Sequence, residues 1–261
     1  MADKWQTAVT EVKPNELRLR GYRIDELMGA KSLAEVTWLC WMGELPQPEW
    51  APLIEAMLVA SVDHGTTPPS ALSARVATGT GASISQAVAA GTLSINASHG
   101  GAIEGCMQAL ARGVKLMHDD NVDAADAAER LLAYLKSEGK RMPGFGHRVH
   151  TNDPRTARFR ELAKAAGVYG DYLGLADAIE RRFAAAGKPL PLNVDGAVAA
   201  VLCELGVDPL IGNAFFILPR VVGLVAHFAE ERTREKVMRR IRQEDAEYDG
   251  PVARALPEED R

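Results

Sequence analysis

Cysteine is scarce in this 261-residue chain: Cys40, Cys106 and Cys203 stand far apart, with no CxxC spacing. Such spacing gives neither a disulfide framework nor a cysteine-built zinc site, and it reads as buried thiols in a reducing cytosol. HExxH and clustered Cys/His patterns are missing, so no metal is expected. There is no P-loop, no GxGxxG and no GxSxG nucleophile elbow. Positive charge is not in excess either. Thirty Lys and Arg against 35 Asp and Glu give a net charge of −5, which offers no basic footprint for nucleic acid. Met1-Ala2-Asp3-Lys4 lacks the basic-then-apolar layout of a signal peptide. The most apolar region, 193–228, is interrupted by Asp195, Glu204, Asp208 and Arg220, so no uncharged run reaches membrane-spanning length. Low-complexity segments and internal repeats are also absent. These absences leave a cytoplasmic globular protein with neither a membrane nor a nucleic acid as its partner.

What is present is helical periodicity almost throughout. Apolar residues recur with a 3.6-residue period over about 31–42, 49–62, 83–97, 102–117, 122–138, 154–166, 171–186, 196–205, 211–231 and 232–241. Gly43, Pro46, Gly139, Gly167, Gly187 and Gly206 punctuate the gaps. Residues 5–20 alternate enough for one short hairpin or extended arm. The fold class is mainly α. Residues 81–98 are mostly Gly, Ala, Ser and Thr, and two readings fit such a helix: tight internal packing, or burial at a subunit interface.

Chemistry concentrates in Pro143-Gly144-Phe145-Gly146-His147-Arg148-Val149-His150-Thr151-Asn152-Asp153-Pro154-Arg155. Pro and Gly interrupt both helix and strand, so this stretch is a shaped loop that presents His147 and then starts a helix. Asp153 suits the N-cap and Pro154 the first helical position. Arg155, Arg158 and Arg160 crowd the first turns, where the helix dipole disfavours cations. Either an anion binds there or the face is simply a solvated basic one.

Four further groups are ambiguous taken singly. His99, in Ser98-His99-Gly100-Gly101, enters a helix N-terminus, which biases it to the neutral imidazole that can hydrogen-bond an enolate; a turn histidine without a role fits the spacing as well. Asp195, in Asn193-Val194-Asp195-Gly196, is placed either as an N-cap or as an acid–base group. His64 and Ser70, around the Thr66–Pro69 turn, either face a site or pack. Arg220 follows Pro219 on an apolar helical run, and a guanidinium on an apolar face needs a partner. Arg240 lies twenty residues further on, roughly 30 Å along a straight helix, so the chain turns back or Arg240 serves an adjoining subunit. His227 is read as structural.

Taken together, these segments resemble the citrate synthase superfamily. R-G-Y-R-I-D-E-L and G-E-L-P in Leu17–Pro46, D-H-G followed by Ser70, S-H-G-G-A, P-G-F-G-H-R-V, D-P-R, N-V-D-G and the Arg220 helix recur in the family order. Only sixteen residues separate Pro46 from Asp63, a join that resembles the compact citryl-CoA lyases rather than the longer synthases. The resemblance implies a citrate synthase-like helical fold in a compact, N-terminally condensed form. A large helical domain is expected at 1–102 and 205–261, with a smaller lobe at 103–204 carrying His147, Arg155 and Asp195. His99, His147 and Asp195 would be catalytic. His64, Ser70, Arg155, Arg220 and Arg240 would bind substrate, with Arg240 or Arg242 reaching a second subunit. Pro143, Gly144, Phe145, Gly146 and Arg148 would meet coenzyme A. The implied reaction is reversible cleavage of citryl-CoA to acetyl-CoA and oxaloacetate in a homodimer or higher oligomer, with the CoA thioester as substrate and no bound cofactor. A compact citrate or 2-methylcitrate synthase, a lyase for a related 3-hydroxy-3-carboxyacyl-CoA, and a CoA- or dicarboxylate-binding sensor are the alternatives.

Overall fold

The computed structural model describes residues 4–146 and 153–239, with 244, 247, 249 and 250 beyond them. Short alternating segments near the N-terminus pair as an antiparallel sheet in the order β1 (Thr10–Lys13), β2 (Glu16–Leu19), β3 (Tyr22–Arg23). The hairpin expected over 5–20 is present, and a third strand extends it. Arg20 and Gly21 both have positive φ between the paired Leu19 and Tyr22, as a tight primed turn requires. The Arg20 guanidinium then donates to the Cys40 carbonyl from Nη2 at 2.8 Å, which ties the sheet to the helices.

Eleven α-helices follow among the described residues. A one-turn α1 (Ile24–Leu27) leads to α2 (Leu33–Met42), which a Ser32–Glu35 capping box starts and left-handed Gly43 ends. Then come α3 (Ala51–Ser61), α4 (Pro69–Gly79), α5 (Ile84–Leu93), α6 (Ala102–Asp119), α7 (Ala124–Ser137), α8 (Pro154–Ala165), α9 (Asp171–Ala185), α10 (Val194–Glu204) and α11 (Ala214–Arg234). The periodic pattern missed α4 altogether. It also ran α5 past Leu93 and placed a separate helix over 232–241. Instead α11 continues to Arg234, and the chain then leaves the helix, with Met238 at positive φ.

The core is built around α10. Val198, Ala199, Ala200, Val201 and Leu202 are wholly buried, so this helix is apolar on every side. It packs on α6, α8 and α9, and its alanines permit the close approach. α11 lies against α3, α4 and α5. The stretch Pro209–Arg234 is long and apolar enough to cross a membrane by composition. Within it, however, Phe215, Phe216, Leu224 and the polar Arg220, His227 and Glu231 are all buried against neighbouring helices.

Candidate active site

The last turn of α3 anchors the site. Helix C-termini leave carbonyls without helical donors, and their dipole favours cations. Here Arg155 Nη1 donates to the Ala60 carbonyl at 3.0 Å, and Arg220 Nε donates to the Ser61 carbonyl at 3.1 Å. Two guanidiniums from distant parts of the chain thus converge on one helix end. Arg155 is further held by Asp153, the buried N-cap of α8, with Nη2 to Oδ2 at 2.7 Å. Arg158 pairs with Glu161, and Arg160 pairs with Asp177 and Glu180. Carboxylates of the chain itself thus offset the crowding of cations at the start of α8.

Arg220 is different. It is 2% exposed, stacks over Phe216 at 4.6 Å, and leaves Nη1 without a hydrogen-bond partner among the described residues. Burial lowers its pKa, and Asp63 and Asp195 oppose that effect. It lines a cavity of about 580 Å³ together with Ser61, His64, His99, Arg155 and Asp195. That volume suits a small ligand.

His99 lines the same cavity, half-buried, in a turn where Asn96 and His99 exchange backbone hydrogen bonds at 2.8 Å. Gly100, at φ +72, follows it; a Cβ there would stand 2.4 Å from the Phe216 ring, so the turn needs glycine. His99 Nε2 lies 2.8 Å from Ser70 Oγ, and its ring meets Phe216 edge-on. Burial and then Arg220 lower its pKa. The imidazole is therefore held neutral by desolvation and a neighbouring cation.

Asp195 is not an N-cap. Asn193 caps α10, its Oδ1 accepting from Gly196 N at 3.1 Å, while its Nδ2 donates to the Gly146 carbonyl at 2.9 Å. Asp195 occupies the first helical turn, lines the cavity and accepts no hydrogen bond among the described residues. Burial pushes its carboxyl above the usual range, while Arg155 and Arg220 pull it down. Gly144 and Gly196 lock this helix start against the Pro-Gly loop: a Cβ on Gly196 would fall 2.2 Å from the Gly144 carbonyl oxygen.

The other expected residues are distributed as follows. His64 is an exposed member of the cavity wall. Ser70 is fully buried and holds His99 rather than lining the cavity. Gly146 lines the cavity, whereas Pro143, Gly144 and Phe145 lie behind it, Phe145 packing on Phe183. His147, Arg148 and Arg240 fall outside the described residues. The sequence patterns missed one supporting network. His227 Nε2 is 2.9 Å from Asp63 Oδ1, and Asp63 Oδ2 accepts from Gly65 N, so this carboxylate clamps the loop that carries His64. His227 Nδ1 faces Arg75 Nη1 at 3.4 Å. Arginine can only donate, so Nδ1 accepts and the proton sits on Nε2. Arg75 in turn pairs with buried Glu231, which also holds Arg239. Hydrogen bonds from Gly65 and His227 overcome burial and hold the Asp63 carboxyl below its ordinary value.

Comparison with known proteins fits this geometry. The citrate synthase C-terminal domain family matches residues 46–242. The chain belongs to the citrate synthase family. Within the family it is similar to the citryl-CoA lyase of Hydrogenobacter thermophilus, with 40% identity, 98% of each chain covered and a TM-score of 0.88. The citrate synthase of Thermoplasma acidophilum, solved with carboxymethyl coenzyme A and oxaloacetate, shares 28% identity over 88% of this chain and 60% of its own, with a TM-score of 0.68. A rice (Oryza sativa) ATP-citrate synthase beta chain is 26% identical over 83% of this chain. The chain spans well under half the length of the curated ATP-citrate synthases it matches, 37% in the rice case.

Proposed function

We propose that this protein is a citryl-CoA lyase, cleaving citryl-CoA reversibly to acetyl-CoA and oxaloacetate. The observation that carries the reading is one cavity holding a buried guanidinium, a neutral imidazole and the Asp195 carboxyl, with Arg220 Nη1 unpartnered among the described residues. Similarity to a citryl-CoA lyase over 98% of both chains supports it. The protein is an enzyme of the citrate synthase-like lyase type.

In the cleavage direction His147 takes the proton from the C3 hydroxyl of citryl-CoA. The C2–C3 bond breaks, its electron pair passing into the thioester enolate while the hydroxyl carbon becomes the ketone of oxaloacetate. In this reading Ser70 donates to His99 Nε2, 2.8 Å away, and the imidazole proton lies on Nδ1, from which it hydrogen-bonds the enolate oxygen. One such donor is typically worth ~10²–10³ in rate. Asp195 protonates the enolate carbon to give the methyl group of acetyl-CoA. Burial makes Asp195 a weaker acid than an exposed aspartate and, in reverse, a stronger base. Arg220 and Arg155 take substrate carboxylates, Arg220 with Nη1, which has no partner among the described residues. Coenzyme A enters as part of the substrate, and no resident cofactor is invoked.

The same reading has the 103–204 lobe closing on 1–102 and 205–261. In support, both parts contribute to the cavity lining: Gly146, Arg155 and Asp195 come from 103–204, and Ser61, His64, His99 and Arg220 from the rest. The homodimer reading is supported by the exposed Leu72 and Val76 of α4, Ile84 and Leu93 of α5, and Val222 and Val225 of α11, three helices that pack together. Arg239 is held at Glu231, 11 residues and roughly 16 Å along α11 from Arg220, which favours Arg240 serving the neighbouring subunit. The free thiols suit the cytoplasm. Incubation with citryl-CoA and coupled detection of oxaloacetate tests the function. Oxaloacetate release supports the lyase, release of free citrate means a synthase-type hydrolysis, and binding without turnover leaves a sensor.

A further inference from the structure

We propose that Ser61 is an additional substrate-binding residue, its Oγ donating to the same substrate carboxylate that Arg220 Nη1 takes. This rests on the reading of the cavity as the site of the citryl group.

Ser61 ends α3 and is 2% exposed, yet its hydroxyl has no partner among the described residues. A serine in a helix ordinarily bonds the carbonyl one turn back when it is buried, and this one does not. Burying a hydroxyl unpaired costs free energy that a core position would shed by becoming alanine. The backbone carbonyl of the same residue accepts from Arg220 Nε at 3.1 Å, so the guanidinium lies against the Ser61 backbone, and both residues line the cavity. Arg220 Nη1 is likewise unpartnered. A guanidinium only donates and a hydroxyl can donate, so what satisfies both is an occupant presenting acceptor oxygens. A carboxylate, with two oxygens side by side, has that form. The end of α3 thus does two things at once. Its carbonyls fix Arg155 and Arg220, and its last side chain joins them in the cavity.

The test uses the full chain as wild type, Ser61→Ala and Ser61→Thr. Oxaloacetate binding and CoA binding are measured separately by calorimetry, alongside citryl-CoA turnover and ligand-free melting temperature. Ser61→Ala is expected to weaken oxaloacetate binding roughly 10–100-fold, the effect of a hydrogen bond to a charged group. It should raise KM for citryl-CoA similarly, leave CoA affinity unchanged, and keep or raise the melting point, by roughly 2–4 °C if the orphan hydroxyl is relieved. Ser61→Thr keeps the hydroxyl and should restore oxaloacetate binding. Unchanged oxaloacetate affinity in Ser61→Ala, with wild type active on citryl-CoA, overturns this proposal alone. A lowered melting point with both affinities reduced would make Ser61 structural and overturns it too. If wild type neither binds oxaloacetate nor cleaves citryl-CoA, the reading of the cavity falls and this proposal with it.

Discussion

Asp195→Ala removes the proposed proton donor and leaves α10 capped. The cap is Asn193, bonded to Gly196 N at 3.1 Å, and Asp195 accepts nothing comparable among the described residues. Loss of a positioned acid–base group lowers turnover by roughly 10²–10⁴-fold, or about 3–5 kcal/mol of barrier. Stability is expected to move the other way. Burial raises the folded-state pKa of Asp195 above its unfolded value. The contribution of such a carboxyl to stability is fully present below the unfolded pKa, about 3.9, and is lost as pH rises through the folded pKa. At neutral pH the ionised side chain is therefore a liability, and the alanine variant should melt at or above the wild-type temperature. The excess should shrink toward pH 4. Were Asp195 the cap, alanine would instead cost about 1 kcal/mol and lower the melting point by roughly 2–4 °C. The assay pairs citryl-CoA turnover with thermal unfolding at pH 7 and pH 4. Turnover within threefold of wild type, or a melting point several degrees lower at pH 7, would refute the reasoning.

Three further outcomes follow from the surrounding structure. His227→Leu removes the 2.9 Å bond to Asp63, whose side chain is 41% exposed, so after discounting for solvent the loss is about 1–2 kcal/mol. KM for citryl-CoA should rise as the His64 loop loosens, and His227→Gln, whose amide can both accept from Arg75 and donate to Asp63, should recover most of it; equal damage from both variants would argue against positioning. Because the Asp63 pKa is depressed, its stabilising contribution holds above about pH 4 and fades as pH falls through the folded value, so acid unfolding should be shallower in His227→Leu. Val76→Glu, placed on the exposed face of α4, should convert a dimer to monomer in sedimentation analysis; an unchanged mass would rule that face out of the interface.

Much of this architecture could be read from residue patterns. α6, α7 and α9 carry clean apolar stripes, and Asp153-Pro154 starts α8 as cap and first helical residue. α4 escaped because Pro68-Pro69 reads as a loop, although proline is at home in a helix's first turn. Arg220 was legible because a charge on an apolar run is an anomaly. Asp195 was located, but its spacing alone fitted an N-cap as well as an acid–base group, and only the backbone geometry shows that Asn193 is the cap. Ser61 carries no local pattern at all, and His227 could be read only as structural, with no partner named. Their significance comes from contacts 159 and 164 positions away, to Arg220 and Asp63.

The central claim is that this cavity breaks a carbon–carbon bond and returns a proton to carbon. Its most direct test is wild-type cleavage of citryl-CoA in D₂O, with products followed by NMR. The account predicts oxaloacetate and acetyl-CoA in equal amounts, the acetyl methyl carrying one solvent-derived deuterium, and both forming roughly 10²–10⁴-fold more slowly in Asp195→Ala. Free citrate and coenzyme A in their place, or full activity in Asp195→Ala, would contradict it.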